Sequence, residues 1–233
     1  MIPGRAAKAN PIWLEQGVIM DVVVFGTGQM SRLAWHRLTC ESPHQVVAFT
    51  VDAAWITEAS FCGLPVVPFE ALDDRFPPDR VAMFVPLSYR DLSRMRIRKY
   101  NEAKARGYGF VSVVTSAAGI DPGVEIGENC FIDSTAIIRP FSRIGDNCAV
   151  SEGAVISHDV SVGNHCFVSC AAVVGGGASI GEQCVLALNC TVLNGLRVAP
   201  RCLIGAGAVL TADTEEDGVY VGIPARRRER PAT

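Results

Sequence analysis

The sequence predicts a small Rossmann-like α/β domain followed by a parallel β-helix of hexapeptide repeats, and three observations carry that reading. A branched aliphatic residue recurs every six positions over most of the C-terminal half. A cysteine recurs every eighteen positions within the same tract. Ahead of it, buried-strand patterns alternate with helical ones, the first strand ending in a Gly-x-Gly turn.

The opening residues 1–19 (MIPGRAAKANPIWLEQGVI) lack the continuous apolar core of a signal peptide and read as an extension before Met20, a second candidate start. From Met20, DVVVFGTGQMSRLAWHRL gives a strand, a glycine turn and a helix. A strand at Val46–Val51 ends in Asp52, and an apolar run follows at Ala82–Pro86. A basic amphipathic helix is expected at about Arg90–Arg106, with its charged face in solvent, and then the strand GFVSVV. Such alternation argues for a parallel sheet covered by helices over 20–111. Ligands of these sheets bind beyond the carboxyl ends of the strands, which groups Gly26, Gly28, Gln29, Asp52 and Ser88 as a candidate substrate crevice. Gly-x-Gly alone is weak: the third glycine of a dinucleotide fingerprint is missing, and a tight turn wants glycine for its backbone.

Over 112–212 seventeen aliphatic positions run from Val114 to Leu210 in unbroken steps of six. Neither a strand period of two nor a helical period of 3.6 sustains this. Three hexapeptides make one triangular coil, so the structural repeat is eighteen residues. Cys130, Cys148, Cys166, Cys184 and Cys202 keep that spacing and should stack at one inner corner as small apolar fillers. Zinc sites want clustered ligands at short spacings, so no metal is expected. The residue before each aliphatic one faces outward. A first face carries Phe131, Ala149, Phe167, Val185 and Leu203, and a second carries Ile137, Val155, Val173, Thr191 and Val209. The third, with Glu125, Arg143, Ser161, Ser179 and Arg197, is polar. Two outward apolar stripes suggest two neighbours, as in a homotrimer.

Composition narrows the function classes. The 233 residues carry a formal net charge of −3, and no basic run precedes the C-terminus, so nucleic acid is not an expected partner. No apolar run reaches the ~18 residues of a membrane span. Nine cysteines without a CxxC pair or secretory signal argue against a disulfide framework and for a cytoplasmic location.

Within the repeats, VISHDVSVGNHC holds the pair His158-Asp159. A histidine titrates near neutral pH and can take the proton that an amine or hydroxyl loses on attacking a thioester. An adjacent carboxylate would make it a better base, and the Gly175-Gly176-Gly177 backbone could supply an oxyanion donor. The pair is expected on an outer corner between the two apolar faces. A second histidine, His165, is expected in solvent.

Taken together, FGTGQ, the hexapeptide tract, SHDVSVGNH and the closing VGIPARR resemble the left-handed β-helix sugar acetyltransferases with a nucleotide-sugar-binding domain in front. These are the sialic-acid O-acetyltransferase and nucleotide-aminosugar N-acetyltransferase relatives. The resemblance covers about 20–228. It implies acetyl transfer from acetyl-CoA to a nucleotide-linked sugar, with His158 as general base and Asp159 raising its basicity. It further implies a coenzyme groove between two subunits, lined by Gly176, Leu188 and Ala206, with Arg226–Arg228 near the phosphates in a C-terminal cap at 213–233. Gly28-Gln29-Met30 departs from the Gly-Gly-His common in relatives, and Phe167 stands where some relatives place a coenzyme-contacting histidine. A zinc hydratase of carbonic-anhydrase type would need three imidazoles around one metal, one more than the tract holds. A non-catalytic nucleotide-sugar scaffold is the other alternative, and release of free CoA would separate it.

Overall fold

The computed structural model describes residues 19–229, so residues 1–18 of the expected extension and the last four of the tail lie outside the described residues. The front domain is a six-stranded sheet in the order β3-β4-β2-β1-β5-β6. Its strands are β1 (Asp21–Phe25), β2 (Gln45–Val51), β3 (Ser60–Phe61), β4 (Leu64–Pro68), β5 (Val81–Phe84) and β6 (Gly109–Phe110). All pair in parallel except β3 on β4. Helix α1 (Gln29–Glu41) follows β1, the single turn α2 (Leu72–Arg75) precedes β5, and α3 (Arg94–Ala105) connects β5 to β6. Strand β1 lies between β2 and β5, so the chain leaves it in opposite directions and opens a crevice beyond its carboxyl end.

From β7 (Val113–Val114) to β23 (Val209–Leu210) the chain forms two-residue strands at six-residue intervals. Each pairs in parallel with the strand eighteen residues away: Phe131 with Ala149 and then Phe167, Ile137 with Val155, Arg143 with Ser161. The result is a left-handed parallel β-helix with three flat faces. From Gly123 to Gly207 each vertex turns through one residue of left-handed backbone, for example Asn147, Thr135 and Phe141. The aliphatic ladder is the core: Ile132, Val150, Ile156, Val168, Leu186 and Ile204 are fully buried. The cysteine column is buried at the vertex between the third and first faces, and each thiol donates to a backbone carbonyl, as Cys148 Sγ does to Gly163 O at 3.1 Å. All nine cysteines are free. The chain then closes with β24 (Val219–Val221) on the first face and an antiparallel β25 (Arg226–Arg228).

Four expectations require correction. The first apolar face does not await a neighbour: Phe131, Ala149, Phe167 and Val185 pack against Val22, Val24, Ala34 and Leu38 of the chain's own front domain. Burying each such phenylalanine is worth roughly 1.5–3 kcal/mol, which fixes the two parts together. Helix α3 is not a solvated basic face either. Its start is set back to Arg94 because Asp91, Leu92 and Ser93 adopt left-handed backbone, and Arg96 and Lys99 are 3% and 5% exposed. The Arg96 guanidinium donates to Leu87 O, His165 O and Cys166 O and lies over the Phe167 ring, joining the crevice loop to the coils. His165 is half-buried rather than solvated, edge-on to Tyr100 with Nδ1 3.0 Å from Asn147 Nδ2. Lastly, His158 occupies the vertex between the second and third faces, so one of its flanking faces is polar. Sequence order alone labels the faces but does not show which of them the preceding domain covers.

Candidate active site

The candidate base sits on a turn whose geometry is set by its neighbour. Asp159 takes the left-handed conformation (φ 57°), which polar short residues tolerate, and this reversal throws His158 outward. The two side chains are 64% and 60% exposed, and His158 Nδ1 lies 2.8 Å from Asp159 Oδ2. A carboxylate accepts only, so Nδ1 carries the hydrogen and Nε2 keeps its lone pair. That lone-pair atom faces Gly176, one coil above, where a β-carbon would stand 2.8 Å from Nε2 and 2.9 Å from Cε1. Glycine at 176 therefore makes room for the imidazole. The backbone locks three successive coils here, since Gly177 N–H donates to His158 O at 3.0 Å and Gly195 N–H to Gly176 O at 2.9 Å.

The remaining coenzyme candidates lie elsewhere. Leu188 (52% exposed) and Ala206 stack eighteen residues apart on the vertex between the first and second faces. Above them the end of the closing strand lies over the coil, with Val209 N–H donating to Gly222 O and Ala225 N–H to Val209 O. Arg226, exposed at the start of β25, continues from that end. Thus Leu188, Ala206 and Arg226 share one side of the prism, while Gly176 belongs with His158 across the width of the second face.

The crevice candidates follow the carboxyl ends of β1, β2 and β5. Gly26 (φ 102°) follows β1, Gly28 caps α1 without a side-chain partner, Gln29 opens that helix, and Ser88 follows β5. A β-carbon at Gly26 would stand 2.5 Å from Ser31 Oγ and 3.4 Å from Leu87, so glycine is required by both backbone and space. Asp52 lies beyond β2, but its carboxylate already binds Lys99 Nζ at 2.5 Å. Sequence reasoning missed that lysine, whose only signal was an unusual basic helix facing the sheet. Among the described residues no group of three or more His, Cys, Asp or Glu could hold a metal. No helix among them is long and apolar enough to cross a membrane.

Residues 123–158 match the bacterial transferase hexapeptide family, six repeats. Among solved structures, PerB from Caulobacter crescentus in complex with CoA and GDP-perosamine is 26% identical over 91% of this chain and 99% of that one, with a TM-score of 0.80. A histidine-to-asparagine variant of perosamine N-acetyltransferase from the same organism, with the same two ligands, reaches 0.82 at the same identity and coverage. The acetyltransferase domain of PglB from Neisseria gonorrhoeae is 21% identical over 90% and 100% of the two chains, with a TM-score of 0.81, a likeness of fold. No curated protein matches. In fold and in the order of its two parts, the chain resembles the hexapeptide-repeat sugar acetyltransferases.

Proposed function

We propose that the protein is a cytoplasmic acetyltransferase that moves an acetyl group from acetyl-CoA to an amino or hydroxyl group of a nucleotide-linked sugar. The observation that carries this reading is the His158-Asp159 pair, with Nε2 free and a glycine opposite it. The front unit, 20–111, is assigned to the nucleotide-linked acceptor through Gly26, Gly28, Gln29 and Ser88. Asp52, already paired, acts there by holding Lys99 at the crevice. The coils at 112–212 carry acetyl transfer, and the described part of the C-terminal cap, 213–229, closes the prism.

In the reaction, His158 Nε2 removes the proton from the acceptor nitrogen as that nitrogen attacks the thioester carbonyl. The tetrahedral intermediate collapses to the amide and the CoA sulfur departs, taking the proton back from the imidazolium. Asp159 holds the imidazole in the tautomer this needs and stabilises the charge that forms on it.

This reading requires more than one chain. The front domain covers the first face, and His158 is on the vertex opposite that face, away from the crevice. Likewise Gly176 and Leu188 lie at opposite edges of the second face. A homotrimer in which the second face meets a neighbour joins one copy's His158 to the next copy's crevice and its Leu188-Ala206 edge. The exposed Val173 and half-buried Ile137, Val155 and Val209 on that face support it.

The test is His158→Ala assayed by CoA release with nucleotide-linked amino sugars, GDP-perosamine first. Loss of a general base costs ~10²–10⁴-fold in turnover. Melting temperature and acetyl-CoA affinity should hold, because the side chain points into solvent. Turnover within a factor of about two of the parent would defeat the general-base role.

A further inference from the structure

The connection from β5 to α3, residues 85–93, ends in a turn that its own sequence disfavours. Asp91, Leu92 and Ser93 have φ of 50°, 47° and 62°. Left-handed backbone brings Cβ close to the following carbonyl oxygen, which L-residues tolerate singly rather than in runs. At the coil vertices such residues indeed come one at a time. Three in succession, one of them a leucine, is strained. Local chemistry offsets little of this. Ser93 is the N-cap of α3, yet its side chain caps nothing. It is wholly buried, and its Oγ has no hydrogen-bond partner in the protein, so that hydroxyl has lost water and gained nothing.

What holds the turn comes from the coils. Gln183 Nε2 donates to Leu92 O at 3.1 Å, and the Tyr89 ring lies against Phe167 with centroids 4.7 Å apart. Strain of this kind persists only where the surroundings over-determine it. The sequence also supplies an unstrained arrangement. Asp91 is a preferred N-cap residue. With Leu92 and Ser93 right-handed as the first two positions of α3, the Asp91 carboxylate accepts the Arg94 N–H, three residues on. The helix gains two residues, about 3 Å, and starts close to where its pattern predicts. In that state Leu92 O leaves Gln183 and Tyr89 leaves Phe167. Those two rings are facing walls of a cavity of about 220 Å³ that reaches Cys170, so their separation opens it.

We propose that residues 88–93 are a sprung gate on this cavity, closed with the turn left-handed and Tyr89 on Phe167, and open when the turn rewinds onto α3 under an Asp91 cap. The strain and the unpartnered Ser93 hydroxyl raise the closed state toward the open one, so the gate moves without unfolding either domain. Whatever binds between Tyr89 and Phe167 favours the closed state by its greater affinity for it. The gate stands on backbone geometry and is independent of the acetyl-transfer reading.

The experiment is alkylation of the full chain by iodoacetamide, resolved residue by residue through peptide mass spectrometry. Ser93→Cys places a thiol of similar size at a position that is wholly buried in the closed state. Exposed Cys40 and buried Cys148 are the references. The new thiol should react at least about tenfold slower than Cys40 and at least about tenfold faster than Cys148, as local opening requires. Adding Asp91→Gly relieves the left-handed strain and removes the open-state cap, so the rate should fall about tenfold. Adding Leu92→Pro should raise it about tenfold, because a φ of about −65° suits the first helical position and forbids the present turn. Cys170 should then react several times faster as well, with Cys40 unchanged. Should Leu92→Pro expose Cys148 too, the chain has unfolded, and Gln183→Ala decides instead: it frees Leu92 O and should speed the new thiol while Cys148 stays protected. Labelling as slow as Cys148, rates indifferent to Asp91→Gly and Gln183→Ala, or a Cys170 that stays unmoved when the turn opens would overturn the gate.

Discussion

Gly176 offers the sharpest perturbation of the candidate site. Its backbone is not left-handed, unlike Gly177 at φ 70°, so alanine can adopt it without strain. The added methyl would stand 2.8 Å from His158 Nε2, 2.9 Å from Cε1 and 3.3 Å from Cδ2, whereas ordinary contact begins at 3.4 Å. The imidazole must therefore retreat by about 0.6 Å, and it can, because it is largely exposed. Stability is expected to hold or to rise slightly, by roughly 0.4–1 kcal/mol through the stiffer unfolded chain. Catalysis should not hold: a misplacement approaching 1 Å costs on the order of 10²-fold in rate, equivalent to about 2.7 kcal/mol of barrier. The methyl also covers the atom that receives the proton. Steady-state CoA release, melting and acetyl-CoA binding on one preparation of Gly176→Ala read all three effects. A large fall in kcat with unchanged acetyl-CoA affinity is expected. Parent-like kcat would show that the imidazole is not needed where it stands, and a loss confined to coenzyme affinity would make Gly176 a groove residue only.

Asp159→Asn should lower turnover by about 10²-fold or more while leaving the fold intact, because an amide can donate to Nδ1 and hold the imidazole in the wrong tautomer; pre-steady-state CoA release checks it, and parent-like rates remove Asp159 from the mechanism. Light scattering after gel filtration should give about three times the 24.9 kDa subunit mass, and Val173→Asp on the second face should lower that mass; a monomeric parent with full activity would defeat the shared site. His165 gives a pH test. Burial, chiefly, with a smaller repulsion from the Arg96 guanidinium, depresses its ionisation below the ordinary imidazole value. Its neutral form is the one the fold accepts, so its contribution is fully present above the unfolded value of about 6.5 and is lost as pH falls through the folded value. His165→Asn should therefore flatten the decline in melting temperature between about pH 7 and 5; Asn147 and Asn129 already occupy the same left-handed position in the coils below. His44, also lowered by burial, leaves a residual slope in that variant. An unaltered slope would refute the assignment to His165.

The β-helix was legible in the sequence, because a coil of eighteen residues repeats one environment at each step and so writes its core and cysteine column directly into the period. The sequence also foreshadowed the alternating strands and helices of the front domain, since glycine after β1 and the period of each element follow from local backbone chemistry. It placed His158 and Asp159 side by side because they are neighbours in the chain. How separate periodicities meet was left to the folded arrangement. An outward apolar stripe looks the same whether a neighbour or the chain's own domain covers it, and Phe131 and Phe167 turned out to face β1 and α1. Arg96 and Lys99 read as solvated because helical spacing describes one element, not the carbonyls and the Asp52 carboxylate that lie opposite it. Gly176 against Nε2, and Arg96 on the carbonyls of His165 and Cys166, are contacts across coils and across the junction. Such contacts depend on the distance between side chains far apart in sequence, which only the folded arrangement sets.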